Sequence, residues 1–206
     1  MCRGFIPCIM SPMTVVVEPI IGSHVAQEPA TPPQHEAGLG ERMNRLRAGV
    51  LGANDGIVST AAVVVGVAGA TDSLSAIATA GLAAVVGGAI SMALGEYVSV
   101  SSQRDSERVQ GLADHHLVNP WSAAIASFLA FLLGAALPFA AAVLTPVSAR
   151  VVAIFALTLV SLSLTGALSA KLGGAAVGRS VVRVVLGGTL ALGATFLVGS
   201  LFGSQL

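Results

Sequence analysis

The chain has 206 residues, of which 54% are hydrophobic and only 10% charged, and its formal net charge is zero. A soluble domain carries about a quarter charged residues to keep its surface in water, so this composition excludes an ordinary soluble globule. The neutral balance gives no footing for nucleic-acid binding, and the mean hydropathy of +0.86 fits a chain that lives in lipid.

The first forty residues differ from the rest. The apolar stretch from Val15 to Ile21 is short and is broken by Glu18 and Pro19, a poor core for a signal peptide. Pro29, Pro32 and Pro33 follow among polar residues, and Cys2 and Cys8 near the N-terminus can pair or bind a metal in principle, against the plainer reading that they belong to a disordered extension. Residues 1–40 are expected to form a disordered tail.

Five apolar runs follow, over 46–70, 76–103, 123–144, 151–170 and 181–201. Each is near the roughly twenty residues that cross a bilayer as helix. They are continuous rather than alternating, which excludes a β-barrel. The expected fold is all-α, a polytopic membrane protein with five transmembrane helices in one domain over 41–206. Pro138 falls inside the third run, where a membrane helix tolerates it if neighbours serve the freed carbonyl.

Basic residues alternate between the loops. Arg42, Arg45 and Arg47 precede the first run, Arg104 and Arg108 follow the second, and Lys171, Arg179 and Arg183 lie between the fourth and fifth. The loop after the first run has Asp72 and no base, and the loop after the third has only Arg150. The positive-inside rule then predicts a cytoplasmic N-terminus.

Two acids are out of place. Asp55 lies about three turns into the first run, and Glu96 lies far along the second after an unbroken apolar stretch. An ionised carboxylate at the middle of a bilayer costs about 2.5–3.5 kcal/mol on insertion scales. It persists there by facing water, a partner cation or a proton; the competing reading is that both acids are solvated at the cytoplasmic interface. Met92 is four residues before Glu96 and shares its helix face, and Ser99 and Gln103 continue that face. A thioether beside a carboxylate suits a borderline divalent ion such as Fe²⁺ better than Ca²⁺ or Mg²⁺; a lone membrane Met is otherwise filler. Gly52 and Gly56 flank Asp55 with small-xxx-small spacing, which permits close approach of another helix, including the same helix of a second subunit.

These residues carry a family resemblance. The run LRAGVLGANDGIVST over 46–60 resembles the first helix of the vacuolar iron transporter family, and GAISMALGEYVSVSSQRDSE over 88–107 resembles its second. The segment GALSAKLGGAAVG over 166–178 is similar to its fourth helix and following loop. The resemblance implies a homodimer that moves Fe²⁺, and often Mn²⁺, out of the cytosol in exchange for protons, with the ion path between subunits. It implies Asp55 and Met92 as in-membrane metal ligands, with Glu96 of the Gly95-Glu96-Tyr97 motif in metal relay or proton coupling. Members often carry a long metal-gathering insert between the second and third helices; here 103–121 is a short loop. His115 and His116 in that loop are candidate accessory metal contacts, against the plainer reading that they are solvated. No cofactor is implied beyond the transported ion. A bacterial plasma membrane is the expected setting, or a vacuolar membrane in a eukaryote. A non-transporting scaffold that uses Asp55 as a buried polar contact is the alternative; an enzyme is not expected, since no nucleophile–base pair stands out.

Overall fold

The computed structural model describes residues 34–111 and 117–204, with side chains from residue 40 onward. It contains five α-helices: α1 (Gln34–Ala70), α2 (Leu74–Val109), α3 (Pro120–Leu144), α4 (Val147–Leu172) and α5 (Val177–Gly203). All five are long and apolar enough to cross a membrane, and the chain is an integral membrane protein of the all-α class.

The helices overrun the apolar runs, because hydropathy marks the part that sits in lipid and not the turns that project beyond it. α1 is helical from Gln34, inside the 1–40 segment expected to be disordered, while residues 1–33 of that segment lie outside the described residues. α2 continues to Val109, well past Gln103. Glu107 ties its end down: Gln103 Nε2 donates to Glu107 Oε1 at 2.8 Å, and the backbone N–H of Val118 donates to Oε2 at 3.2 Å. Asn119 then caps α3 by accepting from the Trp121 N–H at 3.0 Å, with Pro120 at the first helical position, where its missing N–H costs nothing. α3 runs unbroken through Pro138.

α1 is the central helix and packs against each of the other four. Small residues make this possible. In lipid there is no hydrophobic drive between helices, so packing depends on close contact. A Cβ on Gly52 would collide with the backbone of Ser127, and one on Gly56 with the carbonyl of Phe131. The α1 backbone therefore lies directly on α3. The same logic joins α1 to α5 at the other end of the bundle, where a Cβ on Gly199 would strike the Gly66 carbonyl and one on Gly203 would strike Ala70.

Large side chains go outward. Leu82, Val86, Ile90, Leu94 and Val98 form an exposed four-residue ladder on α2, and Ile125, Leu129, Leu133 and Leu137 form another on α3. Much of the interior is small or hydroxylated: Ala48, Ala61, Ala89, Thr60, Ser127 and Thr158 are all fully buried. This inside-out distribution is what a hydrocarbon solvent selects. Several span hydroxyls bond back along their own helix, as Ser161, Thr165 and Thr195 do to carbonyls four residues earlier, which satisfies them without a partner from another helix.

The connections put the Arg/Lys-bearing ends of α1, α2, α4 and α5 at one end of the bundle. Arg150, expected as a loop residue at the other end, is instead in the first turn of α4 and only 5% exposed. Its Nη1 donates to the Asp72 carbonyl at 3.3 Å and so links the α1–α2 connection to α4.

Candidate metal-ion path

Leu51, Asp55 and Ser59 follow one another at four-residue spacing, and so do Gly88, Met92 and Glu96. Each set makes one stripe of its helix, and the bundle turns the two stripes toward each other. All six line a cavity of about 500 Å³ between α1 and α2. Leu51, Asp55 and Met92 also line an adjoining cavity of about 560 Å³, whose other wall is α5 with Arg183, Gly187 and Gly188. The result is a groove with α1 as floor and α2 and α5 as walls, and Asp55 and Met92 occupy its middle. A third cavity of about 540 Å³ lies between α1, α4 and α5 at the basic end, and shares Leu51, Asn54 and Arg183 with the second.

Asp55 and Glu96 are in different electrostatic situations. Among the described residues, no hydrogen-bond donor or ion-pair partner reaches the Asp55 carboxylate; only its backbone carbonyl is engaged, by Ser59 Oγ at 2.6 Å. Glu96 is 5% exposed and fully compensated, because Arg47 Nη2 lies 2.8 Å from its Oε1. The same Nη2 donates to Asn44 Oδ1 at 3.3 Å. Glu96 is therefore buried and held by α1, against the competing reading that it is solvated at the cytoplasmic interface. Met92 is half-buried and packs beside the cluster of Ala89, Phe131 and Ala135, so it fills space as well as facing the groove.

The glycines beside Asp55 also need correction. Gly52 and Gly56 do support close helix packing, but their partner is α3 of the same chain, which leaves no room there for a second copy. The groove walls present other glycines. Gly95 on α2 and Gly187 on α5 have nothing within 4 Å of where a Cβ would stand. His115 and His116 lie outside the described residues.

One chain does not enclose an ion. Among the described residues, no three His, Cys, Asp or Glu side chains come together. The groove offers one uncompensated carboxylate, one thioether and a second carboxylate occupied by a guanidinium. Arg47 and Arg183 were not singled out for the site from sequence, where they count as topology signals. Arg47 did carry a readable signal, since it lies two four-residue steps before Asp55 on the same stripe.

The fold and the groove define a five-helix integral membrane protein in which a carboxylate, uncompensated among the described residues, and a thioether line the same groove inside the span. The profile of the VIT family matches residues 46–113 and 108–200. The chain is 45% identical over 175 residues to vacuolar iron transporter homolog 1 of Oryza sativa subsp. japonica, covering 79% of this chain and 75% of that protein. It is 44% identical over 176 residues to homolog 5 of the same species, covering 81% and 85%, and 43% identical over 173 residues to homolog 4 of Arabidopsis thaliana, covering 80% and 87%. The chain belongs to the VIT family, a family of metal transporters.

Proposed function

We propose that this chain carries Fe²⁺ or Mn²⁺ out of the cytosol in exchange for protons, as a homodimer whose ion path runs between the two grooves. The observation that carries the proposal is the shared exposure of Asp55 and Met92 to one groove, with the Asp55 carboxylate lacking any partner among the described residues. A buried anion of this kind needs a cation or a proton. A divalent ion held by the groove of one chain alone would keep several water ligands, whereas two facing grooves supply two carboxylates and two thioethers. The open Gly95 and Gly187 on the groove walls support close approach by a second copy. The basic end of the bundle faces the cytosol by the positive-inside rule, and it is also the end nearer Glu96. Protons from the opposite side compete for the same carboxylates, since each holds either a proton or a share of the metal's charge. This is the physical basis of exchange.

The test is flux into vesicles carrying the purified protein, with Mn²⁺ or Fe²⁺ outside and with or without a pH gradient. We expect gradient-dependent uptake that Asp55→Ala abolishes. Uptake that survives Asp55→Ala at the wild-type rate rules the scheme out.

A further inference from the structure

Glu96 is one of the few carboxylates in the bundle that is both deep in a helix and already neutralised. Its side chain is 6% exposed, while the Arg47 side chain that compensates it is 55% exposed. The two ends of this pair therefore differ in freedom. Glu96 is fixed on α2 and lines the α1–α2 side of the groove together with Asp55 and Met92. Arg47 lines the separate cavity between α1, α4 and α5, about 540 Å³ in volume, so its guanidinium has space to occupy when it is not on Glu96. Asn44 holds it from behind through Oδ1 at 3.3 Å, on a residue that is itself buried.

We infer that Arg47 is a tethered counter-ion that competes with the transported metal for Glu96. This rests on the transport reading above and assigns a role within the same groove. A buried carboxylate without a compensating charge is strongly disfavoured, so when Arg47 leaves, Glu96 takes up the incoming ion or a proton. Exchanging one for the other keeps the groove's charge nearly balanced at each stage. Because Arg47 is attached to α1, its effective concentration at Glu96 is high and does not depend on the cytosol. It weakens metal binding at Glu96 and, by returning, helps the ion leave toward Asp55 and Met92. Arg47 thus acts through Glu96 and is a positioning residue; it contributes no ligand to the metal.

The experiment measures Mn²⁺ uptake kinetics of the full chain in vesicles at fixed pH. Because Arg47 is more than half exposed, the coupling is modest, and Arg47→Gln is expected to lower KM for Mn²⁺ by about three- to five-fold. Vmax is expected to fall as well, because the ion is held longer. Arg47→Lys keeps the tethered charge and is expected to stay within about two-fold of wild type on the same scale. In a Glu96→Gln background, Arg47→Gln should leave KM unchanged. An unchanged or raised KM in Arg47→Gln overturns the inference. So does an equal fall in KM with Glu96 already neutral, since Arg47 would then act on the ion through its field alone. If Arg47→Gln by itself fails to assemble, the double variant orphans no buried charge and is compared with Glu96→Gln alone. Equal KM values support the inference, and different ones overturn it. The two readings fail separately: transport retained in Asp55→Ala removes the transport scheme, whereas transport lost in Asp55→Ala with KM unmoved in Arg47→Gln removes only the counter-ion.

Discussion

The ring of Phe131 on α3 lies directly over the Cα of Gly88 on α2, so closely that no methyl group fits between them. Phe131 is fully buried, and its backbone carbonyl also receives Gly56 of α1. One residue thus sets the spacing of three helices at the level of the groove. Gly88→Ala is expected to cost about 1–3 kcal/mol through overpacking, despite the better helix propensity of Ala. Phe131→Leu should recover part of that loss in the double variant while being destabilising alone. Thermal unfolding of the detergent-purified protein checks this; a Gly88→Ala variant as stable as wild type would show that the ring moves freely.

Met92 separates packing from ligation. Met92→Leu conserves volume and should cost less than about 1.5 kcal/mol of stability, because the Ala89–Phe131–Ala135 cluster still has a side chain to pack on. If the thioether binds metal, KM for Fe²⁺ rises by about ten-fold, the equivalent of 1.4 kcal/mol. Uptake assays with an unchanged KM would leave Met92 as filler only.

The α1–α5 junction makes a paired prediction about glycine. Gly199→Ala places a methyl group on the Gly66 carbonyl and is expected to destabilise by about 1–3 kcal/mol or more. Gly193, six residues earlier on the same helix, has nothing within 4 Å. Gly193→Ala should be neutral or stabilising by up to about 1 kcal/mol. Equal melting temperatures for the two variants would contradict the close contact.

Arg150 is expected to matter for stability and not for transport kinetics. Its Nη1 bond to the Asp72 carbonyl joins the α1–α2 connection to the first turn of α4, at the end of the bundle opposite the other bases, and a hydrogen bond involving a charged group contributes about 1.5–3 kcal/mol. Arg150→Gln should lower the melting temperature while leaving KM for Mn²⁺ at its wild-type value. A shifted KM would mean that this end of the bundle takes part in metal selection.

The span count and the residues of the groove were legible because both are written in local patterns. Apolar runs of bilayer length mark the helices, and the stripe Met92–Glu96 follows from four-residue spacing within one helix. What crosses between helices was not legible. Spacing shows that Gly52 and Gly56 can receive a close neighbour, but it does not say whether that neighbour is α3 or a second copy. An acid after an apolar run shows that Glu96 needs a partner, yet its partner is forty-nine positions away and is fixed only by the packing of α1 on α2. Arg150 was misplaced for a related reason. A base beside a proline-containing connection looks solvated, whereas the helix begins at Val147 and draws the side chain inward.

The contact of Gly66 with Gly199 has a mechanical consequence. α1 and α5 touch backbone to backbone there, while nearer the basic end a cavity separates them at Leu51 and Arg183. The helix between Gly199 and Arg183 is a rigid arm of about 24 Å. Turning that arm by about 5° about the glycine contact moves Arg183 by about 2 Å, comparable to the rise of one or two helical residues. A small tilt at a tightly packed fulcrum is therefore enough to widen or narrow the groove beside Asp55, with no helix having to unwind.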